Sequence, residues 1–251
     1  MIHFVGAGPG AADLITLRGK KLLEEADMII YAGSLVNPEL LSFAKENCEI
    51  HDSAKLTLEE VLAFMKEAHD KGQTVVRLHT GDPSIYGAIR EQMDALMELQ
   101  IPFDTTPGVS SFLAAAASLN LEYTLPGVSQ TVILTRMEGK TKVPEQESFD
   151  LLARAGGTEV FFLSAGDLKT LSEKLIRAGK DEKTPCALVY KASWEDEKKF
   201  LCDLKTLPEE AEKEGIKNFA LVIVGDALKG ARYERSKLYS PEFTTAFRKG
   251  T

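Results

Sequence analysis

Apolar positions fall in two kinds of cluster. Short apolar runs at Ile2 to Val5, Met28 to Tyr31 and Val75 to Leu78 read as buried strands, and stretches of helical spacing separate them. The first helical stretch follows Asp13 and carries Leu14, Leu17, Leu22, Leu23 and Ala26. The second carries Leu58, Val61, Leu62, Met65 and Ala68 behind Thr57 and Glu60, a capping box, and stops at Gly72. A third helix is expected to run from the loop Thr80-Gly81-Asp82-Pro83 to about Leu99. Strand and helix alternate, so this half should be an α/β domain with a mainly parallel sheet.

Tyr123 to Val128 breaks the helical pattern with turn chemistry, which places a domain boundary between 125 and 126. Residues 1–125 are then an N-terminal α/β domain and 126–251 a C-terminal one. Beyond the boundary, strand-like runs occur at Thr131 to Thr135, Val160 to Leu163, Ala187 to Tyr190, Lys199 to Leu204 and Phe219 to Val224. Glu195, Asp196 and Glu197 join two of them as a hairpin, which predicts a mixed sheet. No internal repeat or low-complexity tract appears.

Composition narrows the class. The chain has 251 residues, 44% of them hydrophobic, enough for a sizeable core in a soluble enzyme. A net charge of -8 argues against nucleic acid as a partner, and an anionic substrate would need a local basic trough. Cys48, Cys186 and Cys202 are odd in number and far apart, and His3, His51, His69 and His79 lack ligand spacing, so neither a disulfide framework nor a metal site is expected. The start lacks a basic leader and no stretch reaches about 18 uninterrupted apolar residues, which points to a cytoplasmic protein without membrane spans.

The chemistry gathers in loops. Gly6-Ala7-Gly8-Pro9-Gly10-Ala11, between a strand and a helix, satisfies the dinucleotide fingerprint. Pro9, however, removes one N–H that a pyrophosphate would need, and Asp27 precedes its strand instead of closing it. A glycine turn serving chain geometry alone is the plain alternative. Thr80 to Gly87 and Thr106 to Ser111 follow two further strands and should open at the same sheet edge, where open parallel sheets bind ligands. Asp82 is there either a ligand acceptor or the N-cap of the following helix.

The ordered set Val5-Gly6-Ala7-Gly8-Pro9-Gly10 with Asp13, Leu14 and Thr16, then Gly81-Asp82-Pro83, Pro107-Gly108-Val109-Ser110-Ser111 and Ala220 to Gly225, resembles the tetrapyrrole methylase family over nearly the whole chain. The resemblance implies two α/β domains with S-adenosylmethionine held in a cleft between them, S-adenosylhomocysteine as product, and a homodimer. Tyr31-Ala32-Gly33-Ser34-Leu35 and Thr135-Arg136-Met137-Glu138-Gly139-Lys140-Thr141, followed by Val143-Pro144-Glu145, resemble the members that methylate C-11 of precorrin-4 or cobalt-precorrin-4 in cobalamin biosynthesis. Cofactor contacts carried over from the family fall on Pro9, Thr80, Gly81, Asp82, Ile85, Ser110 and Ser111, and in the second half on Leu163, Ala192 and Ala220. The acidic residue that uroporphyrinogen methylases carry after strand two is Ala32 here, so their acid-base roles do not transfer.

A sulfonium methyl donor needs no protein nucleophile. The protein must align the ring carbon and exclude water, and Asp82, Asp104 and Glu138 are candidate proton acceptors, with no catalytic residue assigned. A polycarboxylate ring calls for Arg or Lys, and Arg18, Arg136 and Lys140 stand in or beside motif loops. Methylation at another ring position, or nucleoside binding without turnover, are the competing functions.

Overall fold

The computed structural model describes residues 1–139, 141–230 and 233–250. The chain forms two compact units, one of Met1–Ala115 with Lys191–Glu197 and one of Ala116–Tyr190 with Lys198–Thr251. Among the described residues no helix is long and apolar enough to cross a membrane.

The first unit runs β1 (Ile2–Gly6), α1 (Leu17–Glu25), β2 (Met28–Tyr31), β3 (Glu49–Asp52), α2 (Leu58–Asp70), β4 (Val75–His79), α3 (Arg90–Glu98), β5 (Phe103–Thr106) and the start of α4 (Ser111–Leu119). Its sheet has the order β3-β2-β4-β1-β5, and every pairing is parallel. One face packs Phe4, Ile30 and Val75 against Val61 and Met65 of α2 and Leu96 of α3, and the other packs Val5, Ile29 and Leu78 against Leu23 of α1. Burial on both faces is why these strands read as apolar runs without alternation. Each large side chain so buried contributes roughly 1.5 to 3 kcal/mol.

Local signals mostly act where they stand. Glu60 N–H donates to Thr57 Oγ1 at 3.3 Å and Thr57 N–H to Glu60 Oε2 at 2.7 Å, closing the capping box of α2, and Gly72 leaves it at φ +73°. The first helix starts later than its apolar spacing suggests, because Thr16 caps it by accepting from Gly19 N–H at 3.1 Å, while Asp13 lies in a separate turn.

Two expectations need correction. The helix expected directly after Pro83 begins only at Arg90, because Tyr86 at φ 55° and Ala88 at φ 49° are left-handed and no α-helix can include them. Asp82 is therefore not its cap; that position belongs to Ile89. The edge strand β3 has no counterpart among the expected elements, since Glu49-Ile50-His51-Asp52 is mostly polar and nowhere fully buried, and only pairing with β2 makes it a strand.

The second unit continues with β6 (Val132–Arg136), α5 (Phe149–Ala155), β7 (Thr158–Phe162), α6 (Leu168–Arg177), β8 (Pro185–Tyr190), β9 (Lys198–Asp203), α7 (Leu207–Lys213) and β10 (Ala220–Val224). The order is β6-β7-β10-β8-β9, with β6 and β7 parallel and the other pairs antiparallel, so the expected mixed sheet and hairpin are present. Leu168, Leu171 and Leu175 of α6 pack on Phe161, Leu188 and Val222. Asp167 caps that helix by accepting from Thr170 N–H at 3.1 Å. In the interior, Glu159 is fully buried and pairs with Lys180 at 3.0 Å. The turn at Leu125–Val128 is fastened by Glu234 N–H, which donates to the Pro126 carbonyl at 3.0 Å.

Candidate active site

The order β4-β1-β5 puts the loops that follow these strands side by side at one sheet edge. There the backbones nearly touch. A Cβ on Gly108 would lie 2.1 Å from the Gly81 carbonyl oxygen and 2.7 Å from Gly6 Cα, and one on Gly6 would lie 2.5 Å from Gly108 Cα. No other residue fits at either position. Gly8 and Gly81, at φ +81° and +61°, exchange hydrogen bonds of 3.3 and 2.8 Å between their backbones. Gly6, Gly8, Gly81 and Gly108, drawn from all three loops, thus serve mutual closure. The loop after β2 joins the same edge, where Gly33 N–H donates to Asp52 Oδ1 at 3.2 Å.

Asp82 is the clamp of this edge. Its Oδ2 accepts from Gly108 N–H at 2.9 Å, and its Oδ1 accepts from the N–H and hydroxyl of Ser84 at 2.9 and 2.5 Å. Burial raises its pKa, but the hydrogen bonds from Ser84 and Gly108 outweigh that and leave it below the usual aspartate value. It remains a carboxylate, ill-suited to take a proton near neutral pH. Asp104, another candidate acceptor, pairs with His3 at 2.7 Å, and Glu138 is exposed.

Beneath the edge lies a polar layer that no sequence signal marks. Arg77, 6% exposed, donates to Gln92 Oε1 and to the Ile30 carbonyl, both at 3.1 Å. His79, 4% exposed, leaves Nε2 without a hydrogen-bond partner. Burial, helped by the Arg77 charge, pushes its pKa down to about 3. The imidazole is therefore neutral.

The first glycine loop is pinned from outside by residues far away in sequence. Trp194 Nε1–H donates to the Pro9 carbonyl at 3.1 Å, Asn37 Nδ2–H to the Gly10 carbonyl at 2.9 Å, and Ala11 N–H to Ser193 Oγ at 3.0 Å. This settles the dinucleotide reading. Ala7 N–H is engaged by the His79 carbonyl, Gly8 N–H by Gly81 and Ala11 N–H by Ser193, while Pro9 has no N–H. A pyrophosphate would find almost no outward donors. The adjoining cavity of about 560 Å³ is lined by Asp13, Glu39, Glu195 and Asp196, which repel anions.

In the second unit, β7 ends, β10 begins and β6 ends at one sheet edge, which brings together Leu163, Ala220 and Arg136. Leu163 is 73% exposed at φ 52°, an isobutyl group held outward by a backbone state that leucine avoids, whereas Ala220 is buried. Ala192 follows β8 and is buried within the first unit. Arg136 donates to the carbonyls of Met137 and Thr141 at 3.1 Å and of Lys142 at 3.2 Å, so its guanidinium orders its own loop. Arg18 is exposed on α1, Thr80 and Ile85 are half-buried, and Ser110 is buried beside half-buried Ser111. Lys140 lies outside the described residues.

The likeness to known proteins extends over the whole chain. A cobalt-precorrin-4 C(11)-methyltransferase of Methanocaldococcus jannaschii is 53% identical over 248 residues, covering 99% of this chain and 96% of the relative. The crystal structure of a cobalt-precorrin-4 methyltransferase superposes with a TM-score of 0.88 at 44% identity, covering 90% of this chain and 95% of that one. A uroporphyrin-III C-methyltransferase from Thermus thermophilus, complexed with S-adenosylhomocysteine, superposes with a TM-score of 0.77 at 27% identity, covering 92% of this chain and 99% of that one. The sequence profile of the Tetrapyrrole (Corrin/Porphyrin) Methylases matches residues 1–208, and this chain belongs to that family.

Proposed function

We propose that this chain transfers the methyl group of S-adenosylmethionine to C-11 of cobalt-precorrin-4, releasing S-adenosylhomocysteine. The observation that carries the reading is the sheet edge of the first unit, where three glycine loops close backbone to backbone without a basic side chain, in a family member whose relatives carry that activity in their names. Such an edge does not suit a phosphorylated cofactor. It suits a nucleoside with an amino-acid tail, which needs small residues for close approach and a few fixed polar groups.

Pro9, Thr80, Gly81, Asp82, Ile85, Ser110 and Ser111 would hold the donor from the first unit, with Ala192, Leu163 and Ala220 adding small or apolar contacts. When bound, the donor supplies a methyl group already activated by its sulfonium. The chain's own work is then to orient and to keep water out. Besides contacting the donor, Asp82 orients it at one remove by holding the loops after β4 and β5 in register. Arg18, Arg136 and Lys140 supply positive charge for the ring's carboxylates, and three donors of Arg136 are already engaged by carbonyls, which aims the rest of its fork. Cobalt belongs to the substrate in this reading. The cytoplasm as location and a homodimer as assembly complete the proposal.

Incubation with labelled S-adenosylmethionine and either cobalt-loaded or metal-free precorrin-4, followed by mass spectrometry, tests it. One added methyl on the cobalt-loaded ring is the expected result. Retention of nucleoside without transfer would leave a binding module, and transfer to the metal-free ring alone would refute the choice of substrate.

A further inference from the structure

We propose that Trp194 is a positioning residue for methyl transfer, holding the Pro9–Ala11 backbone in the shape that receives the methyl donor. The proposal rests on the reading that this glycine loop contacts the donor. It starts from strain. The connection between β8 and β9 holds Lys191 at φ 46° and Ser193 at φ 72°, left-handed states at two residues that are not glycine. An ordinary hairpin would place Gly or Asn there. The conformation is braced by Trp194 N–H to the Lys191 carbonyl at 3.0 Å, Ser193 N–H to Glu197 Oε2 at 2.7 Å and Glu197 N–H to the Trp194 carbonyl at 3.1 Å.

The braced loop delivers two side chains to one place. Ser193 Oγ accepts from Ala11 N–H at 3.0 Å, and the indole N–H of Trp194 donates to the Pro9 carbonyl at 3.1 Å. Between those contacts the indole fills the space of a missing side chain: a Cβ on Gly10 would lie 2.2 Å from Trp194 Cδ1. Lys191, paired with Asp196 at 2.6 Å, sits 5.4 Å from the ring centroid. An indole kept only for its apolar area would not need its N–H aimed at one backbone carbonyl. Glycine and proline have no polar side chains with which to set the rotation of their own peptide groups, so the direction of the Pro9 and Gly10 carbonyls is imposed by Trp194 and Asn37.

The test uses the intact chain, in which Trp194 is the sole tryptophan and its fluorescence reports this contact alone. Trp194→Phe keeps an aromatic ring and removes the donor. It should weaken S-adenosylhomocysteine binding about three- to tenfold, the range for one neutral hydrogen bond, and raise the KM for S-adenosylmethionine by the same factor while the KM for the tetrapyrrole stays put. Gly10→Ala evicts the indole, so its loss and that of Trp194→Ala should not add in the double variant, and its emission should shift to that of a water-exposed indole. Wild-type affinity in Trp194→Phe, or additive losses in the double variant, overturns the proposal. Gly8→Ala separates this from failure of the loop reading, because at φ +81° it strains the loop without touching Trp194. Unchanged binding in Gly8→Ala sinks the loop reading and the proposal together; weakened binding there with wild-type behaviour of Trp194→Phe sinks the proposal alone.

Discussion

Gly108→Ala adds one methyl group at the point where the loops close. The φ of Gly108 lies outside the left-handed region, so alanine suits the backbone and any cost comes from contact. The methyl would meet the Gly81 carbonyl oxygen at 2.1 Å and Gly6 Cα at 2.7 Å. Both are backbone atoms, one in the loop leaving β4 and one at the end of β1, which cannot swing aside as the tip of a side chain would. Overpacking of this kind costs about 1 to 3 kcal/mol. Separating the loops also stretches the bond from Gly108 N–H to Asp82 Oδ2, now 2.9 Å, a bond to a charged acceptor of the class contributing about 1.5 to 3 kcal/mol. The two effects share one displacement and do not simply add, so we expect a loss of about 3 kcal/mol, seen as a fall in Tm of about 6 to 12 °C. S-adenosylhomocysteine affinity, read by calorimetry below the melting range, should fall with it. Gly166→Ala, whose Cβ would meet only the Lys217 carbonyl oxygen at an ordinary 3.6 Å, is the control and should stay within about 0.5 kcal/mol. A Gly108→Ala variant that melts and binds like its parent would mean that the loops do not close as described.

Asp82→Ala removes the acceptor for Gly108 and Ser84, and S-adenosylhomocysteine binding should weaken by about 1 to 3 kcal/mol by calorimetry; unchanged affinity with a lowered Tm would restrict Asp82 to stability. His79 is neutral when folded with its pKa near 3, below the unfolded value of 6.5, so its stability is full above pH 6.5 and is lost as pH falls toward 3. His79→Phe should lose about 2 to 3 kcal/mol less than the parent between pH 7 and 4.5 in urea melts, and equal losses would show that His79 does not govern the acid limb. Arg136→Ala should lower kcat/KM for the tetrapyrrole while S-adenosylhomocysteine binding stays near wild type; equal losses for both ligands would make its carbonyl contacts a matter of folding.

Much of this architecture is legible because its causes are local. β1, β2 and β4 read as strands because burial on both faces demands continuous apolar runs, and α2 reads as a helix because Thr57 and Glu60 satisfy its first N–H groups within one turn. The loops Gly6–Ala11, Thr80–Gly87 and Thr106–Ser111 stand out for the same reason, since small residues and proline at strand ends mark turns wherever they occur. β3 is not legible because an edge strand needs no apolar run. The late start of α3 is hidden because Tyr86 and Ala88 are not residues that announce a positive φ.

The site divides along the same line. Residue types and their order suffice to list the loops, to doubt a pyrophosphate at Pro9, and to expect both a parallel and a mixed sheet. Which loops touch depends on strand order, and the placement of β1 between β4 and β5 is a global outcome of packing that no window of sequence contains. That order turns Gly6, Gly81 and Gly108 into one contact and gives Asp82 a partner across loops instead of the helix cap it resembles. The bond from Trp194 to Pro9 spans 185 positions, and its meaning exists only once a strained hairpin connection has carried the indole to the glycine loop. Short-range propensity sets which segments are strands, helices and turns; the partners of a polar group are set by long-range burial, which forces each donor and acceptor to find whatever the folded chain brings within reach.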